Sequence, residues 1–366
     1  VSLEVKRLES IEEANRNQWN NVVDQSELSC VYHRYGWLRA VEEGTGHEPR
    51  HLLVSKSGNP IAIFPNFVTD FGPVSRLSSI RPGYGGPVVM TEETEAMELL
   101  LEAVPELCEG QILFNEVRTY DQRFIRYHEL LKSLGYGLSV LSCRFTLDLT
   151  RGWEELFDRM DSERRRGIRR GHDQDFGVHE EELTPRRLSA VYDEYATVMQ
   201  RAGMETLPRR FFLALRHFDH RLKLFTLSVD GQRRGSYVYL LDEEQSTLQH
   251  LFTAVTEEQF EYRTPELLHE HAVKWGIENG YETYDFRGAH ADFRDGVYRF
   301  KELFGARAVP LLVWERGRPE PALPALNAGR TISDRQIVPE TARRAKRAVS
   351  LFSVTRLKKY IFQRSP

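Results

Sequence analysis

Between residues 49 and 79, in PRHLLVSKSGNPIAIFPNFVTDFGPVSRLSS, apolar and polar positions alternate with period two around Ser57–Gly58–Asn59. That pattern predicts antiparallel strands joined by a tight turn. Helical periodicity flanks it. SIEEANRNQWNNVVDQS opens on Ser10 with acidic residues in its first turn, and HRYGWLRAVEEG ends at Gly44. A glycine-rich corner, IRPGYGGPVV, leads to the amphipathic TEETEAMELLLEAVPELCEG. The strand QILFNEVRT, a helix stopped by Gly135 and the strand SCRFTLDL follow.

The order then restarts. WEELFDRMDSERRRGIRRGHDQDFGV reads as one helix ending at Gly177, and a second begins at the Thr184–Pro185 cap. PRRFFLALRHF is a further helix, and RLKLFTLSVDGQRRGSYVYLLDEEQSTLQHLFTAV a three-stranded meander. RTPELLHEHAVKWGIENG is a helix ended by Gly280. Residues 284–317 read as strand, irregular loop, short helix and final strand. Both halves therefore run helix, antiparallel meander, helix, strand. This predicts a mixed α/β (α+β) protein with two copies of one module, although the halves share negligible sequence. The expected division is 1–145, 146–317, and a Pro/Gly-rich linker with a basic tail over 318–366. Two unrelated α/β domains are the alternative.

Charge changes this picture at one place. Residues 340–366 hold eight Lys/Arg against Glu340 alone, a net +7. The whole chain is −4, which leaves −11 for the remainder. An acidic body with a basic tail suggests contact with an anionic membrane or RNA; a solvated basic helix is the alternative. Cys30, Cys108 and Cys143 are odd in number and widely spaced, unlike a disulfide framework or zinc site. The start is too polar for a signal peptide, and no run approaches the ~18 apolar residues of a spanning helix. A cytoplasmic protein, peripheral to the membrane if the tail binds there, is the expectation.

Several segments, in order, resemble one family: VYHRYGWLRAVEE, GYGGPVV, RRRGIRRGHDQDFGV, VMQRAGMETLPRRFF, and YETYDFRG with GVYRFKELFG. The last carries the most specificity. Together they resemble the FemAB/FemX-like aminoacyltransferases, peptidoglycan bridge-forming enzymes with tandem GNAT-like domains, and their GNAT relatives. The resemblance spans roughly residues 25–315. It implies two tandem GNAT-like acyltransferase domains with mixed, mostly antiparallel central sheets. It also implies direct transfer of an acyl or aminoacyl group to a primary amine. In the bridge-forming members the donor is aminoacyl-tRNA. The chain lacks GxSxG and a Cys/His signature, as suits direct transfer. His269 and His271, two apart, do not share a helix face, so no metal is expected.

An acyl-CoA enzyme of this fold needs a glycine-rich turn that points N–H groups at a pyrophosphate. Here that position reads FEYRTPELLHEHAVKW, with no Gly-x-Gly and with Pro265, which has no N–H. No cofactor is therefore expected. The acyl-CoA acetyltransferase is kept as an alternative, as is a non-catalytic binding module of the same fold.

The resemblance carries the lysine of the FK motif onto Lys301 as an oxyanion stabiliser; otherwise it is a helix lysine beside core aromatics. Asp285 reads as a general base, a holder of the Lys301 loop, or a strand-end cap. Tyr84 and Gly85 read as acceptor contacts or as corner packing. Arg201 matches the family's phosphate-binding arginine, or simply favours its helix C-terminus. Tyr237, Arg299 and Arg39 complete the substrate-binding candidates. Arg165, Arg166, Arg169 and Arg170 form a basic face that could bind RNA or phosphate. Two departures stand out. No lysine follows Trp37 as in the bridge-forming enzymes, and Arg287 occupies YDFRG where a glycine is usual.

Overall fold

The structure, a computed structural model, describes residues 2–317 apart from 72–73, 110–111 and 141. The expected linker and basic tail over 318–366 lie outside the described residues.

The first half contains β1 (Leu3–Leu8), α1 (Arg16–Gln25), α2 (Tyr35–Thr45), β2 (Glu48–Pro49), β3 (His51–Lys56), β4 (Asn59–Phe64), β5 (Asn66–Phe71) and β6 (Val74–Ser79). It continues with β7 (Val88–Val89), α3 (Glu93–Leu107), β8 (Ile112–Arg118), α4 (His128–Ser133) and β9 (Gly137–Ser139). The second half holds β10 (Ser142–Asp148), α5 (Gly152–Arg159), α6 (Ser162–His172), β11 (Phe176–Glu181), α7 (Pro185–Arg201), α8 (Arg209–Ala214), β12 (Leu222–Val229), β13 (Gln232–Asp242) and β14 (Thr247–Ala254). Then come α9 (Thr264–Glu278), β15 (Thr283–His290), α10 (Gly296–Glu302), β16 (Arg307–Pro310) and β17 (Val313–Gly317).

The duplication is visible in the ladders. In the first half the antiparallel β5–β6 pair leads through α3 to β8, which lies parallel to β6. In the second, antiparallel β12–β13–β14 leads through α9 to β15, parallel to β14. The second-half sheet has the order β11-β12-β13-β14-β15-β10-β16. The first half splits into β1-β3-β4-β7 and β2-β5-β6-β8-β17-β9. The expected boundary at 145/146 falls inside β10, and β17 returns to pair with β8 and β9. The first half thus holds a strand, β17, that its own local sequence does not supply. Long-range pairing decides such membership, and period-two patterning carries no information about it.

Several signals act as read. Thr184 accepts from the Arg187 N–H at the start of α7, and Ser57 and Gly58 take the left-handed turn between β3 and β4. The expected single helix over 153–177 is instead two helices and a strand. Asp161 caps α6 by accepting from the Glu163 N–H, and its own N–H donates to the Leu303 carbonyl. The break is thereby tied to the end of α10. Gly177 lies within β11, paired with Ser228. In α6 the residues Arg164, Gly167, Ile168 and Gly171 are buried, whereas Arg166, Arg169 and Arg170 are exposed. The two glycines allow close approach to α9, because a Cβ on Gly171 would lie 2.7 Å from Leu267.

The halves share a core. Trp37 on α2 packs edge-on against Phe211 and Phe218, at ring-centroid distances of 5.7 and 6.0 Å. One buried cluster runs from Leu8 and Trp19 through Trp37 to Phe212, Val238 and Phe252. At the crossing of α2 and α8, a Cβ on Gly44 would lie 2.3 Å from the Phe211 Cα. Backbone cannot give way there as a side chain could. Gly44→Ala is therefore expected to destabilise by about 1–3 kcal/mol through overpacking. Urea denaturation checks this, and an unchanged midpoint contradicts it.

Candidate active site

The parallel pairing of β14 and β15 covers only Thr247–Thr283, Leu248–Tyr284 and Gln249–Asp285. Beyond it both strands continue, to Ala254 and His290, without pairing each other. This leaves a splayed opening in the second-half sheet. Where it begins, β15 is irregular: its register with β10 shifts between Arg144 and Thr146. Arg287 takes φ +63°, in the left-handed region that costs a non-glycine residue about 1–3 kcal/mol. The left-handed backbone explains in physical terms why a glycine would sit there easily. Here the position instead carries a guanidinium, which reaches the Leu251 carbonyl of β14 at 3.5 Å.

Lys301 points at this turn. Asp295 caps α10 by accepting from the Tyr298 N–H at 2.8 Å. Phe304 is buried beneath the helix and Phe300 partly so. The Arg164 guanidinium covers both rings at 4.4 Å and pairs with Glu266 at 2.7 Å. So held, Lys301 is buried, and its Nζ donates to the carbonyls of Arg287 (3.1 Å) and Gly288 (2.7 Å). An ammonium has three N–H donors. The third has no partner among the described residues. Burial, opposed by Asp285 and assisted by Arg287, brings the Lys301 ammonium down to about 8.

Asp285 lies at the base of the turn and is fully buried. It accepts from the Tyr120 hydroxyl (2.7 Å), Arg144 Nη1 (3.2 Å) and the Arg287 N–H (2.6 Å). Both its oxygens are engaged, so the carboxylate holds the turn whose carbonyls receive Lys301.

The first half closes the opposite wall. Tyr32, Tyr84 and Tyr120 form a triangle, with ring centroids 6.2–6.4 Å apart. Each ring has a guanidinium over it: Arg287 over Tyr32, Arg118 over Tyr84 and Arg144 over Tyr120, at 5.9, 5.0 and 4.1 Å. The Tyr32 hydroxyl donates to Gln249 at 2.5 Å, which links the halves. The Tyr84 hydroxyl lies 3.4 Å from where a Gly288 Cβ would stand. It has no hydrogen-bond partner among the described residues. Tyr84 and Lys301 thus approach one peptide turn from two different halves.

The remaining expected residues divide. Tyr237 is buried behind this turn, its ring 4.2 Å from His250 and 5.0 Å from His269. Burial, together with Lys301 and Arg287, pulls His250 down to about 3, so it is neutral at physiological pH. Tyr237 therefore belongs to the packed wall. Gly85 is explained by packing, since a Cβ would meet His33 and Ile80 at 2.6 Å. Arg201 pairs with Glu258 at 2.9 Å on the exposed end of α7. Arg39 pairs with Glu12 at 3.3 Å. Arg299 is exposed on α10. Arg165 donates to the Asp158 carbonyl, and Arg169 lies over Phe157. None of these five basic residues is in contact with the Lys301 turn among the described interactions. Sequence reading missed Tyr32, Tyr120, Arg144 and Arg118. Their only signal was aromatic and basic character at strand or helix ends, which is too common to single them out. No group of three potential metal ligands occurs among the described residues. No helix among them is long and apolar enough to cross a membrane.

These features define a tandem GNAT-type fold. Residues 159–302 match the family model for the acetyltransferase (GNAT) domain. No curated protein matches the chain in sequence. Among solved structures, FemX superposes with a TM-score of 0.64 at 13% identity, over 84% of this chain and 96% of its own. A tandem GNAT protein from the clavulanic acid biosynthesis pathway gives 0.53 at 11% identity, over 86% and 98%. The C-terminal domain of a putative lysylphosphatidylglycerol synthetase from Agrobacterium fabrum gives 0.55 at 14%, over 87% and 96%. At such identities what is shared is the fold.

Proposed function

We propose that this chain moves an acyl or aminoacyl group directly onto a primary amine held between its two halves, with Lys301 as the oxyanion stabiliser. One observation carries the reading: a buried ammonium with one unpartnered N–H, fixed beside the splayed strands at a turn that the Tyr84 hydroxyl of the other half also approaches. The neutral amine nitrogen forms the new C–N bond to the acyl carbon. The carbonyl oxygen gains negative charge, which the free Lys301 N–H receives. As the tetrahedral adduct collapses, the bond to the leaving oxygen or sulfur breaks, and the amine proton passes to that leaving group. Preorganised donors of this kind contribute about 2.7–4 kcal/mol to the barrier. Asp285 acts as a positioning residue here, through Arg287.

Two donors are in competition. The putative lysylphosphatidylglycerol synthetase is named for a lysyl group, whereas the clavulanic-pathway protein is described as being without AcCoA, which makes acetyl-CoA the second donor to weigh. The residues here fit a CoA pyrophosphate poorly. The first turn of α9 carries Pro265 and the buried Glu266, which already pairs with Arg164. The preceding segment adds Glu257, Glu258 and Glu261. A helix N-terminus attracts anions through free N–H groups and its dipole, but these carboxylates oppose a second anion. Binding should therefore favour aminoacyl-tRNA in filter assays, with no thermal shift from acetyl-CoA. A ligand at about 100 Kd stabilises by about 2.7 kcal/mol. A shift of that size with acetyl-CoA, and none with charged tRNA, would move the donor to CoA. Contact of the basic tail with RNA or an anionic membrane remains part of this proposal and is read by deleting residues 340–366.

A further inference from the structure

The parallel pairing of β14 and β15 ends at Gln249 and Asp285, the last residues in register before the strands part. Both are fully buried, and each receives a tyrosine hydroxyl from the first half. Tyr120 donates to Asp285 at 2.7 Å, and Tyr32 donates to Gln249 at 2.5 Å. The two rings stand 6.2 Å apart at their centroids. The fork is thus pinned from the other half, with one hydroxyl on each strand.

The Gln249 arm closes a ring of hydrogen bonds. Its Nε2 donates to Asp242 Oδ2 at 2.9 Å, which leaves its Oε1 to receive Tyr32. Asp242 Oδ1 accepts from the Val31 N–H at 3.0 Å, and Val31 immediately precedes Tyr32. Asp242 therefore holds both the amide that receives the hydroxyl and the backbone that carries it. Val31, Tyr32, Asp242 and Gln249 are all fully buried. The seam around them is already apolar, from Trp37 to Phe252, so association of the halves does not by itself call for a polar ring. A buried network in which each member finds its partner fixes one geometry. The geometry it fixes here is that of the fork. The Arg287 guanidinium lies over the Tyr32 ring at 5.9 Å, and the Arg287 carbonyl receives the Lys301 ammonium.

We infer that Tyr32 and Gln249, backed by Asp242, are positioning residues that set the spread of β14 and β15 and so hold the Arg287 and Gly288 carbonyls against Lys301. Neither contacts Lys301 among the described interactions; they act through the Arg287 turn. That this serves catalysis rests on the transfer reading above; the hold on Lys301 does not.

The titration of Lys301 reads this clamp without any substrate. Asp285, Arg287, Cys143 and Asp295 act on its ammonium, which in turn acts on His250 and His269. Burial chiefly brings it down to about 8, and Arg287 adds to this. A loosened fork admits water and frees Arg287, so the value rises. NMR on the intact chain with isotope-labelled lysine follows it, and Lys301→Arg assigns the resonance by its loss. Tyr32→Phe and Gln249→Leu are each expected to raise the proton affinity of Lys301 about tenfold. Each also strands a buried polar group and lowers stability. The double variant removes both partners of the bond between the halves, so it should be more stable than Gln249→Leu alone, with Lys301 still shifted. A double variant that titrates as wild type overturns the clamp, whatever its stability or rate. Turnover separates the two ideas. In the double variant kcat should fall about tenfold with the acceptor KM unchanged. If Lys301 shifts but the wild type transfers nothing, only the transfer reading fails. If the wild type transfers and Lys301 does not shift, only the clamp fails.

Discussion

Lys301→Ala is expected to lower the rate of amide formation about 10²–10³-fold, because the one unpartnered N–H proposed to receive the oxyanion is lost. The loss should fall on kcat and not on acceptor affinity, since the proposed role of this N–H is realised only as the oxyanion forms. The pH profile gives a second readout. The acceptor amine must be neutral, so the rate climbs with pH. Lys301 must be charged, and its ammonium loses its proton near 8. The wild-type rate should therefore turn over near pH 8, and Lys301→Arg, which stays charged, should lack that descending limb. A variant with an unchanged rate, or the same limb in Lys301→Arg, removes Lys301 from the mechanism. The linkage to folding has a definite sign. The folded value lies below the ordinary lysine value near 10.4, so the unfolded chain binds more protons between about 8 and 10.4. This group's share of stability therefore increases as pH rises through that window.

Asp285→Ala should be the most destabilising change at the site, by about 3–5 kcal/mol. It strands the Arg144 guanidinium, only 16% exposed, and it leaves the Tyr120 hydroxyl and the Arg287 N–H without their acceptor. Tyr120→Phe removes one of those bonds and should cost only about 0.5–1.5 kcal/mol. Equilibrium urea denaturation checks the ranking. A loss below 1 kcal/mol for Asp285→Ala would mean that the turn is held by other contacts. Asp285→Asn offers a finer probe, because an amide can still accept from the Arg287 N–H while its NH₂ faces Arg144. It should preserve the turn better than alanine and still slow transfer, since the Lys301 carbonyl ligands would shift.

The shared core bears on both expectations. A cluster running from Trp19 through Trp37 to Phe252 joins the halves, and Tyr32, Gln249, Arg34 and Glu244 add polar links across the same seam. The wall bearing Tyr84 is therefore held in register with the turn bearing Lys301. Preorganisation of this kind is what makes a single N–H worth several kcal/mol. It also explains why Gly44, remote from the chemistry, matters: its close approach to Phe211 sets the seam.

Local pattern was enough for most elements, and a family resemblance added one catalytic candidate. Period two marked the strands, Thr184 marked the start of α7, and the FK motif marked Lys301. Where the reading failed, a distant partner had decided. The 153–177 helix breaks because Asp161 is bound to Leu303, more than a hundred residues away. The arginine run of α6 divides because Arg164 finds Glu266 on α9. Arg201, Arg39 and the outer face of α6 looked like phosphate ligands, but ordinary surface carboxylates, carbonyls and rings occupy several of them.

Composition, periodicity and capping residues determined the α/β class and the doubled module, because these depend on neighbours a few positions apart, whereas YDFRG and RFKELFG drew notice only through a family resemblance. Only the tertiary structure decided that Tyr84 meets the Lys301 turn, that Asp285 clamps that turn instead of standing free, and that Tyr32 and Tyr120 reach the two strands where they part. Those relations join residues up to about two hundred positions apart. They follow from strand pairing and from the packing of two halves on one core, for which the linear chain has no period.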